Sequence, residues 1–289
     1  MKIGVVCGPL VLKNDFPAMC QWLAENGFDA VDMRSVDPAE KATIEGAGLA
    51  VGSFSGPPLS RALAADEGKR REAVAAAKEQ IQQAAGLGLK TLFTCLVPPD
   101  RTAPRAQTFE IWKTFWPEIV DACEAAGIVI AMEPWPGPSP TYPTIGCTPE
   151  MWRAMFAVCP SPAFGLCFDP SHLARLGIDY LRALREFGPR VHHVHGKDTA
   201  ISPEDLYLQG RLGPTFGSPA FACSEGWWRY CIPGDGVVDW RAIVVELTAL
   251  GKTDLCLSIE LEDGCYMGDA AGNKAGLLAA KRHLDSVIR

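Results

Sequence analysis

The sequence has no apolar run of the roughly 18 residues that a membrane-spanning helix requires, so we expect no membrane partner. It also has no concentrated run of positive charge, because the net charge is −7 and the basic residues are scattered. Nucleic acid is therefore excluded as the main partner, since binding its phosphate backbone requires a cationic face. The N-terminal stretch is interrupted too soon by Pro9 to form a secretory signal, and we interpret it as a first strand.

The cysteines lack any pairing motif. They number 11, which is odd, and none stands in a C-x-x-C pair. Cys95, Cys167 and Cys256 lie within strand-like runs, where cysteine acts as a small apolar residue. We therefore expect a reduced, cytoplasmic protein.

The chain does contain a regular alternation of short apolar runs and amphipathic stretches. Eight strands are predicted, at 3–8, 30–34, 49–55, 91–97, 128–133, 164–168, 191–195 and 255–261. The main predicted helices lie at 16–26, from 38 to about 46 or 48, and at 66–85, 108–126, 178–187, 239–250 and 269–287, with a further helix opening at Thr148. Eight strand-plus-helix units in 289 residues indicate one α/β domain, a (β/α)₈ TIM barrel over 1–289. The alternative, an open doubly wound sheet, is disfavoured because no G-x-G-x-x-G follows the first strand.

Segment 200–233 breaks this alternation after the seventh strand. It is rich in aromatic residues, namely Tyr207, Phe216, Phe221, Trp227, Trp228 and Tyr230. Connections longer than about 12–15 residues are usually functional or disordered, and this one is too aromatic for disorder. We predict a lid over the barrel mouth, with a subunit interface in a homo-oligomer as the alternative.

Polar residues end four consecutive strands. Glu133, Asp169 and Glu260 each follow an apolar run, and His195 lies in RVHHVHGKDT at 190–199, which holds three of the five histidines. A single such histidine is more often a hydrogen-bonded core residue. However, the carboxyl ends of barrel strands meet at the catalytic mouth, so we expect all four groups to converge.

Three carboxylates at one point would repel one another, and a divalent cation resolves that conflict. Oxygen ligands with one imidazole suit Mn²⁺, while Mg²⁺, Co²⁺ and Zn²⁺ are compatible with the same donors. The residues therefore predict one metal ion as the cofactor.

The motifs around these positions resemble a known family. They are MEP at 132–134, FDPSH at 168–172, HVHGKD at 193–198, PGDG at 233–236 and SIELED at 258–263. The chain resembles the xylose isomerase-like TIM barrel superfamily, and within it the sugar phosphate isomerase/epimerase group, with D-tagatose 3-epimerase, hydroxypyruvate isomerase and inosose dehydratase as relatives. The resemblance implies that Glu133, Asp169, His195 and Glu260 bind one divalent ion, commonly Mn²⁺. It also implies that Glu133 and Glu260 form the acid/base pair and that His172 holds a substrate oxygen.

This set suits proton abstraction next to a carbonyl, with the metal clamping the enediolate oxygens as a Lewis acid. We predict a metal-dependent sugar isomerase or epimerase whose partner is a small sugar or polyol. The alternative is a lyase or dehydratase, for inosose-type dehydration or 3-keto-glycoside cleavage, because elimination begins with the same step. A non-catalytic sugar-binding barrel is a third interpretation, which the retention of all four ligands disfavours. A metal-dependent endonuclease is excluded by the few histidines and the acidic charge.

Three further residues are candidates for contacting the substrate. Lys197 and Arg211 could each grip a substrate oxygen or form surface salt bridges, and Trp135 could stack on a sugar ring or pack at the rim. Glu262 and His193 are expected in supporting roles around Glu260 and His195. One departure from the family stands in the second strand, which ends in Asp32-Met33-Arg34 where a glutamate is common.

Overall fold

A computed structural model describes residues 1–6, 15–56 and 59–288. The strands in these ranges are β1 Lys2–Val6, β2 Ala30–Met33, β3 Ala50–Ser55, β4 Thr91–Thr94, β5 Val129–Met132, β6 Phe164–Phe168, β7 Val191–Gly196, β8 Asp198–Ile201, β9 Trp228–Cys231 and β10 Cys256–Ile259. The α-helices are α1 Phe16–Glu25, α2 Pro38–Gly46, α3 Glu67–Gly86, α4 Arg105–Lys113, α5 Trp116–Ala125, α6 Pro149–Val158, α7 Pro170–Leu176, α8 Tyr180–Phe187, α9 Pro203–Gln209, α10 Trp240–Ala249 and α11 Ala270–Ile288.

Eight parallel strands close into a barrel in the order β1-β10-β7-β6-β5-β4-β3-β2. The predicted (β/α)₈ TIM barrel is therefore confirmed, and each predicted strand corresponds to one barrel strand with ends shifted by a few residues. The predicted end of the first strand, at 7–8, lies outside the described residues, as does Pro9. No helix in the described part of the chain is both long and apolar enough to cross a membrane.

Helix boundaries follow their capping residues. Thr148 accepts a hydrogen bond from the backbone N–H of Met151 and Pro149 opens α6, as the sequence predicts. Gly27 follows α1 with a φ of +72°, in the left-handed region that ends a helix.

Two helical predictions require correction. The predicted helix at 108–126 is two helices, α4 and α5, and Pro117 stands at the start of the second. Proline cannot donate to the preceding turn, so it begins a helix more readily than it continues one. The second correction is α7, which was not predicted: Asp169 caps it through the N–H of Ser171, and Gly177 ends it at a φ of +72°. The predicted helix at 178–187 accordingly begins only at Tyr180.

The segment after β7 contains regular secondary structure, which agrees with its aromatic composition. β8 and β9 pair as an antiparallel hairpin with Asp198 opposite Cys231 and Ile201 opposite Trp228. The short helix α9 and a long loop connect the two strands. Asp198 also accepts hydrogen bonds from the N–H groups of Gly234 and Val238, so the PGDG motif folds around this carboxylate.

Candidate active site

Four neighbouring barrel strands bring the four predicted metal ligands together. Glu133 directly follows β5, Asp169 follows β6, His195 lies in β7 and Glu260 follows β10. One ligand atom from each residue lies within 4.8 Å of the others. Convergence at the carboxyl ends of the strands is the arrangement that the barrel geometry predicts.

Within the cluster, His195 contacts two of the carboxylates directly. Nδ1 of His195 lies 2.7 Å from Oε1 of Glu133 and 3.3 Å from Oε2 of Glu260. The side chains of Glu133 and Asp169 are buried, with 8% and 0% exposed, whereas that of Glu260 is 22% exposed. The cluster is therefore closed from below and opens to solvent on the side of Glu260.

Lys197 supplies a buried positive charge to the same cluster. Its Nζ lies 2.5 Å from Oε2 of Glu260, 3.1 Å from Oε2 of Glu262 and 3.3 Å from Oδ2 of Asp169. Burial opposes its charge, but Asp169, Glu260 and Glu262 together raise the pKa of Lys197 well above its usual value. It therefore stays a cation and partly balances the carboxylates.

The electrostatics of the cluster favour positive charge at its centre. Burial raises the pKa of Glu133, but the imidazoles of His172 and His195 outweigh it, and the pKa falls well below its usual value. Burial likewise raises the pKa of Glu260, but Lys197 lowers it to about 2. Burial lowers the pKa of His195, yet Cys167 and Glu260 raise it well above its usual value. Glu133 and Glu260 are thus ionised at neutral pH and hold a proton on the imidazole of His195 between them.

Two buried polar atoms at the cluster lack a well-aligned hydrogen-bond partner among the described residues: Oδ2 of Asp169 and Nε2 of His172. They lie 3.2 Å apart, and Nε2 of His172 is also 3.6 Å from Oε1 of Glu133. Unsatisfied buried polar atoms are rare in folded proteins, and they mark places where an ion or a ligand completes the bonding. His172 therefore lies in the cluster, as predicted.

A polar layer lies beneath the cluster inside the barrel, where apolar side chains are usual. His193 is buried and its Nε2 lies 2.9 Å from Oδ2 of Asp32. The other oxygen of Asp32 accepts a hydrogen bond from the N–H of Ser53 at 2.9 Å. The sequence predicts His193 below His195, but it does not predict Asp32 as the partner. A charged residue within the apolar β2 run was the available signal.

The remaining predicted contacts lie at different distances from the cluster. Trp135 is half-buried in the loop after β5, and its carbonyl faces the Sγ of Cys95 at 3.9 Å. Arg211 lies apart: its side chain is exposed, adjoins Gly177 and stacks over the ring of Trp227 at 5.6 Å. The structure therefore does not bring Arg211 to the cluster.

Two unpredicted residues extend the site. Tyr230 of β9 contacts His172, and Arg175 of α7 contacts Tyr230. The aromatic composition of the insertion was the only signal for Tyr230, and nothing in the sequence pattern linked it to residues some 55 positions earlier.

Comparison with known proteins places this geometry in context. The family model described as xylose isomerase-like TIM barrel matches residues 20–286. The uncharacterized protein YfiH of Bacillus subtilis strain 168 is 30% identical over 171 residues, which are 58% of this chain and 51% of that protein. Inosose dehydratase of Geobacillus thermodenitrificans strain NG80-2 is 29% identical over 107 residues, which are 37% of this chain and 33% of that enzyme. The chain therefore spans about half, or less, of the length of these curated relatives.

Among solved structures, D-psicose 3-epimerase of Clostridium cellulolyticum H10, determined with D-tagatose, aligns with a TM-score of 0.72. The alignment covers 100% of both chains at 14% identity. At that identity the likeness establishes the shared fold.

Proposed function

Since the chain belongs to the xylose isomerase-like TIM barrel family, we propose that it is a metal-dependent isomerase or epimerase of a small sugar or polyol. The observation that carries the proposal is the convergence of Glu133, Asp169, His195 and Glu260 within 4.8 Å at the mouth of the barrel. The solved D-psicose 3-epimerase, which has the same fold, supports a sugar as the substrate in this proposal.

The donor set fits a divalent cation. It consists of three carboxylates and one imidazole, and Oδ2 of Asp169 is buried without a well-aligned partner among the described residues. Mn²⁺ suits a mostly oxygen set with one nitrogen, and Mg²⁺, Co²⁺ and Zn²⁺ are the alternatives. When bound, such an ion supplies Lewis-acid polarisation of a substrate oxygen.

The acid/base work falls to Glu133 and Glu260 in this proposal. Both carboxylates approach Nδ1 of His195, and both have pKa values below their usual range, so each is ionised at neutral pH. One carboxylate takes the proton from the carbon next to the carbonyl, and the electron pair of the broken C–H bond moves towards the carbonyl oxygen. Return of a proton to the former carbonyl carbon, together with passage of the hydroxyl proton from one enediol oxygen to the other, isomerises the sugar. Return of a proton to the opposite face of the original carbon epimerises it.

Neighbouring side chains orient the substrate. His172 directs Nε2 at the cluster, and Lys197 holds Glu260 and Glu262 by its ammonium. Trp135, half-buried beside Glu133, is proposed to stack on the apolar face of a sugar. Arg211 would need to leave Trp227 to reach a substrate, so it is not part of this proposal.

Solvent exchange tests the proposal. The protein is loaded with Mn²⁺ and incubated in D₂O with a panel of ketohexoses, ketopentoses and inososes, and deuterium next to the carbonyl is followed by NMR. Deuterium should enter with wild type and fall at least about a hundredfold with Glu260→Gln, which keeps the shape but removes the base. Glu246→Gln, which alters an outer carboxylate paired with Arg185, is the matched control and should retain activity. Absence of exchange with every sugar would contradict the proposal.

A second candidate is a lyase or dehydratase, which the similarity to inosose dehydratase favours. In that reaction the proton is removed as before, and a hydroxyl or glycosidic group on the next carbon leaves with the electron pair of its bond. Cleavage of 3-keto-glycosides would use the same step. A growing enone absorbance, with loss of water or of an aglycone, would identify the lyase, whereas a new sugar of unchanged mass identifies the isomerase.

A further inference from the structure

Arg175 and His172, both in α7, are joined by a buried chain of hydrogen bonds that passes through Tyr230 of the insertion. Nη1 of Arg175 donates to the hydroxyl of Tyr230 at 2.7 Å, and that hydroxyl lies 2.6 Å from Nδ1 of His172. Arg175, Tyr230 and His172 are only 4%, 3% and 0% exposed. Water is therefore a poor substitute for any of these contacts.

Counting hydrogens along this chain gives one assignment that satisfies both the Arg175–Tyr230 contact and the contact of Tyr230 with Nδ1 of His172. A guanidinium has donors and no acceptor, so the hydroxyl oxygen of Tyr230 must accept from Arg175. Burial raises the pKa of Tyr230 well above its usual value, so the hydroxyl retains its single hydrogen. That hydrogen is then directed to Nδ1 of His172, which must accept it, and the hydrogen of the imidazole is on Nε2. The reverse assignment leaves the buried hydrogen of Tyr230 without an acceptor, which is costly.

The other end of His172 agrees with this assignment. Its Nε2 faces Oδ2 of Asp169 at 3.2 Å and Oε1 of Glu133 at 3.6 Å. Ionised carboxylates accept hydrogen bonds and cannot donate them. An N–H on Nε2 therefore suits its surroundings, whereas a bare nitrogen lone pair there would face two anions.

Arg175 is fixed independently of Tyr230. Its Nη2 donates to the carbonyl of Gly137 at 3.1 Å, and its guanidinium stacks over the ring of Trp228 at 4.3 Å. Gly137 belongs to the proline-containing loop after Glu133, and Trp228 belongs to β9. Arg175 of α7 is thus held by the loop after β5 and by β9 of the insertion.

We propose that Arg175 and Tyr230 are positioning residues that hold His172 with its N–H on Nε2, directed into the site, and with Nδ1 as the acceptor of the Tyr230 hydroxyl. His172 then donates a hydrogen bond to an oxygen that carries or gains negative charge, such as a carbonyl oxygen during proton abstraction, and it disfavours a cationic substrate group at that point. This role in substrate recognition rests on the proposed function, whereas the assignment of the hydrogen on His172 does not. The insertion therefore supplies, through Tyr230, a residue that positions His172.

Nitrogen NMR of the full chain labelled with ¹⁵N-histidine tests the assignment without any substrate. His172→Gln identifies the His172 signals among the five histidines. The wild-type protein should show Nε2 with the shift of a protonated nitrogen and Nδ1 with that of a hydrogen-bonded acceptor. In Tyr230→Phe the Nδ1 shift should move towards an average of the two tautomers. Tyr207→Phe, which makes the same change at an 83% exposed position of the insertion, should leave the His172 signals unchanged.

Some outcomes overturn the proposal. A hydrogen on Nδ1 of His172 in the wild type, hydrogens on both nitrogens, or identical His172 signals in Tyr230→Phe would each do so. Circular dichroism and the signals of the other histidines report whether the variant has folded, and Tyr230→Trp provides a second removal of the phenol hydroxyl if Tyr230→Phe does not fold.

Kinetics then separate this proposal from the proposed function. With a sugar that the wild type turns over, Tyr230→Phe should lower kcat about tenfold with a smaller change in KM, because a misdirected donor costs less than the hundredfold or more typical of a removed one. The expected NMR signature without turnover of any sugar would contradict the proposed function and leave the positioning role supported. Turnover that is unchanged in Tyr230→Phe would overturn the role of the chain in catalysis.

Discussion

At the scale of single residues, one ammonium group, that of Lys197, contacts three carboxylates of the site. Lys197 touches Glu260, Glu262 and Asp169. Two of these three are also members of the four-residue metal cluster. If the proposed metal ion binds, Lys197 would compete with it for the carboxylates of Asp169 and Glu260, so we expect Lys197 to stabilise the metal-free site and to weaken metal binding.

Replacing Lys197 with Met should lower the melting temperature of the protein in EDTA and tighten Mn²⁺ binding. Opposite charges about 4 Å apart interact by about 4 kcal/mol at an effective dielectric constant of about 20, so removing the competitor should tighten binding by about tenfold or more even after partial compensation. Calorimetric titration with Mn²⁺ and thermal unfolding in EDTA measure the two effects.

Lys78→Met is the matched control, because Lys78 forms an exposed pair with Glu118 and lies outside the cluster. It should change neither quantity measurably. Weaker Mn²⁺ binding by Lys197→Met than by wild type would show that the ammonium supports the metal site and does not compete with it.

At the scale of elements, the barrel depends on close contact between β6 and β7. A side chain on Gly165 of β6 would overlap the carbonyl oxygen of Arg190 and the ring of His192. The imidazole of His192 in turn donates to the carbonyl of Pro162 at 2.9 Å, which ties the start of β7 to the start of β6. Strand ends held this way keep Asp169 and His195 in register at the opposite end.

Gly165→Ala should destabilise the fold by about 1–3 kcal/mol, because the added methyl group meets backbone that cannot rotate away. Urea unfolding provides the measurement. Gly86→Ala, at the end of α3, is the control, since a methyl group there meets nothing within 4 Å. Equal stability of Gly165→Ala and wild type would contradict the packing described for β6.

His192 should make the stability of the protein fall as the pH is lowered. Burial lowers its pKa from 6.5 to about 4, so the unfolded chain takes up a proton below pH 6.5 while the folded chain does so only near pH 4. Stability contributed by the neutral imidazole is complete above pH 6.5 and is lost progressively as the pH falls towards 4. His192→Gln keeps an N–H donor without this titration, so it should lose less stability than wild type between pH 7 and pH 5 in urea unfolding. The same pH dependence in both proteins would refute the assignment.

At the scale of the whole molecule, most apolar side chains are buried in one core around the barrel, but the insertion exposes several. Tyr207, Leu208, Leu212 and Phe216 are 83%, 67%, 74% and 93% exposed. Clustered apolar exposure of this kind marks an interaction surface more often than a free one. These exposed side chains therefore favour a subunit interface in a homo-oligomer, the alternative to the lid predicted from the sequence.

Light scattering after gel filtration should find the protein as an oligomer at micromolar concentration. The double substitution Leu208→Glu and Phe216→Glu should yield monomers with unchanged circular dichroism, because charge at an apolar contact is strongly unfavourable. Val245→Glu, at a 61% exposed position on α10, is the control and should remain oligomeric. A wild-type protein that is monomeric at all concentrations would favour a lid.

Much of this organisation could be predicted from the chain because it depends on local pattern. Apolar runs of strand length mark each barrel strand, and polar residues directly after β5, β6 and β10 mark the mouth. The short helix α7 is not predicted because its seven residues are too few to show a periodic apolar pattern. The pairs Asp32–His193 and Tyr230–Arg175 escaped because they join residues 161 and 55 positions apart, and side-chain contacts across such separations leave no periodic trace in the sequence.

The β8–β9 hairpin has a consequence for how the connecting segment between its strands can vary in length among related barrels. Each of its two strands is held by a side-chain hydrogen bond: Asp198 accepts from the N–H of Gly234 in the PGDG turn, and Arg229 donates to Asp263. The backbone therefore enters and leaves the insertion at fixed points. The backbone N–H of Tyr230 donates to the carbonyl of Cys223 and that of Glu225 donates to the carbonyl of Trp228, so a cassette that spares β9 is confined to residues 203–222. Under the proposed function, grafting such cassettes between related barrels would change the substrate preference while the residues at the barrel mouth stay in place.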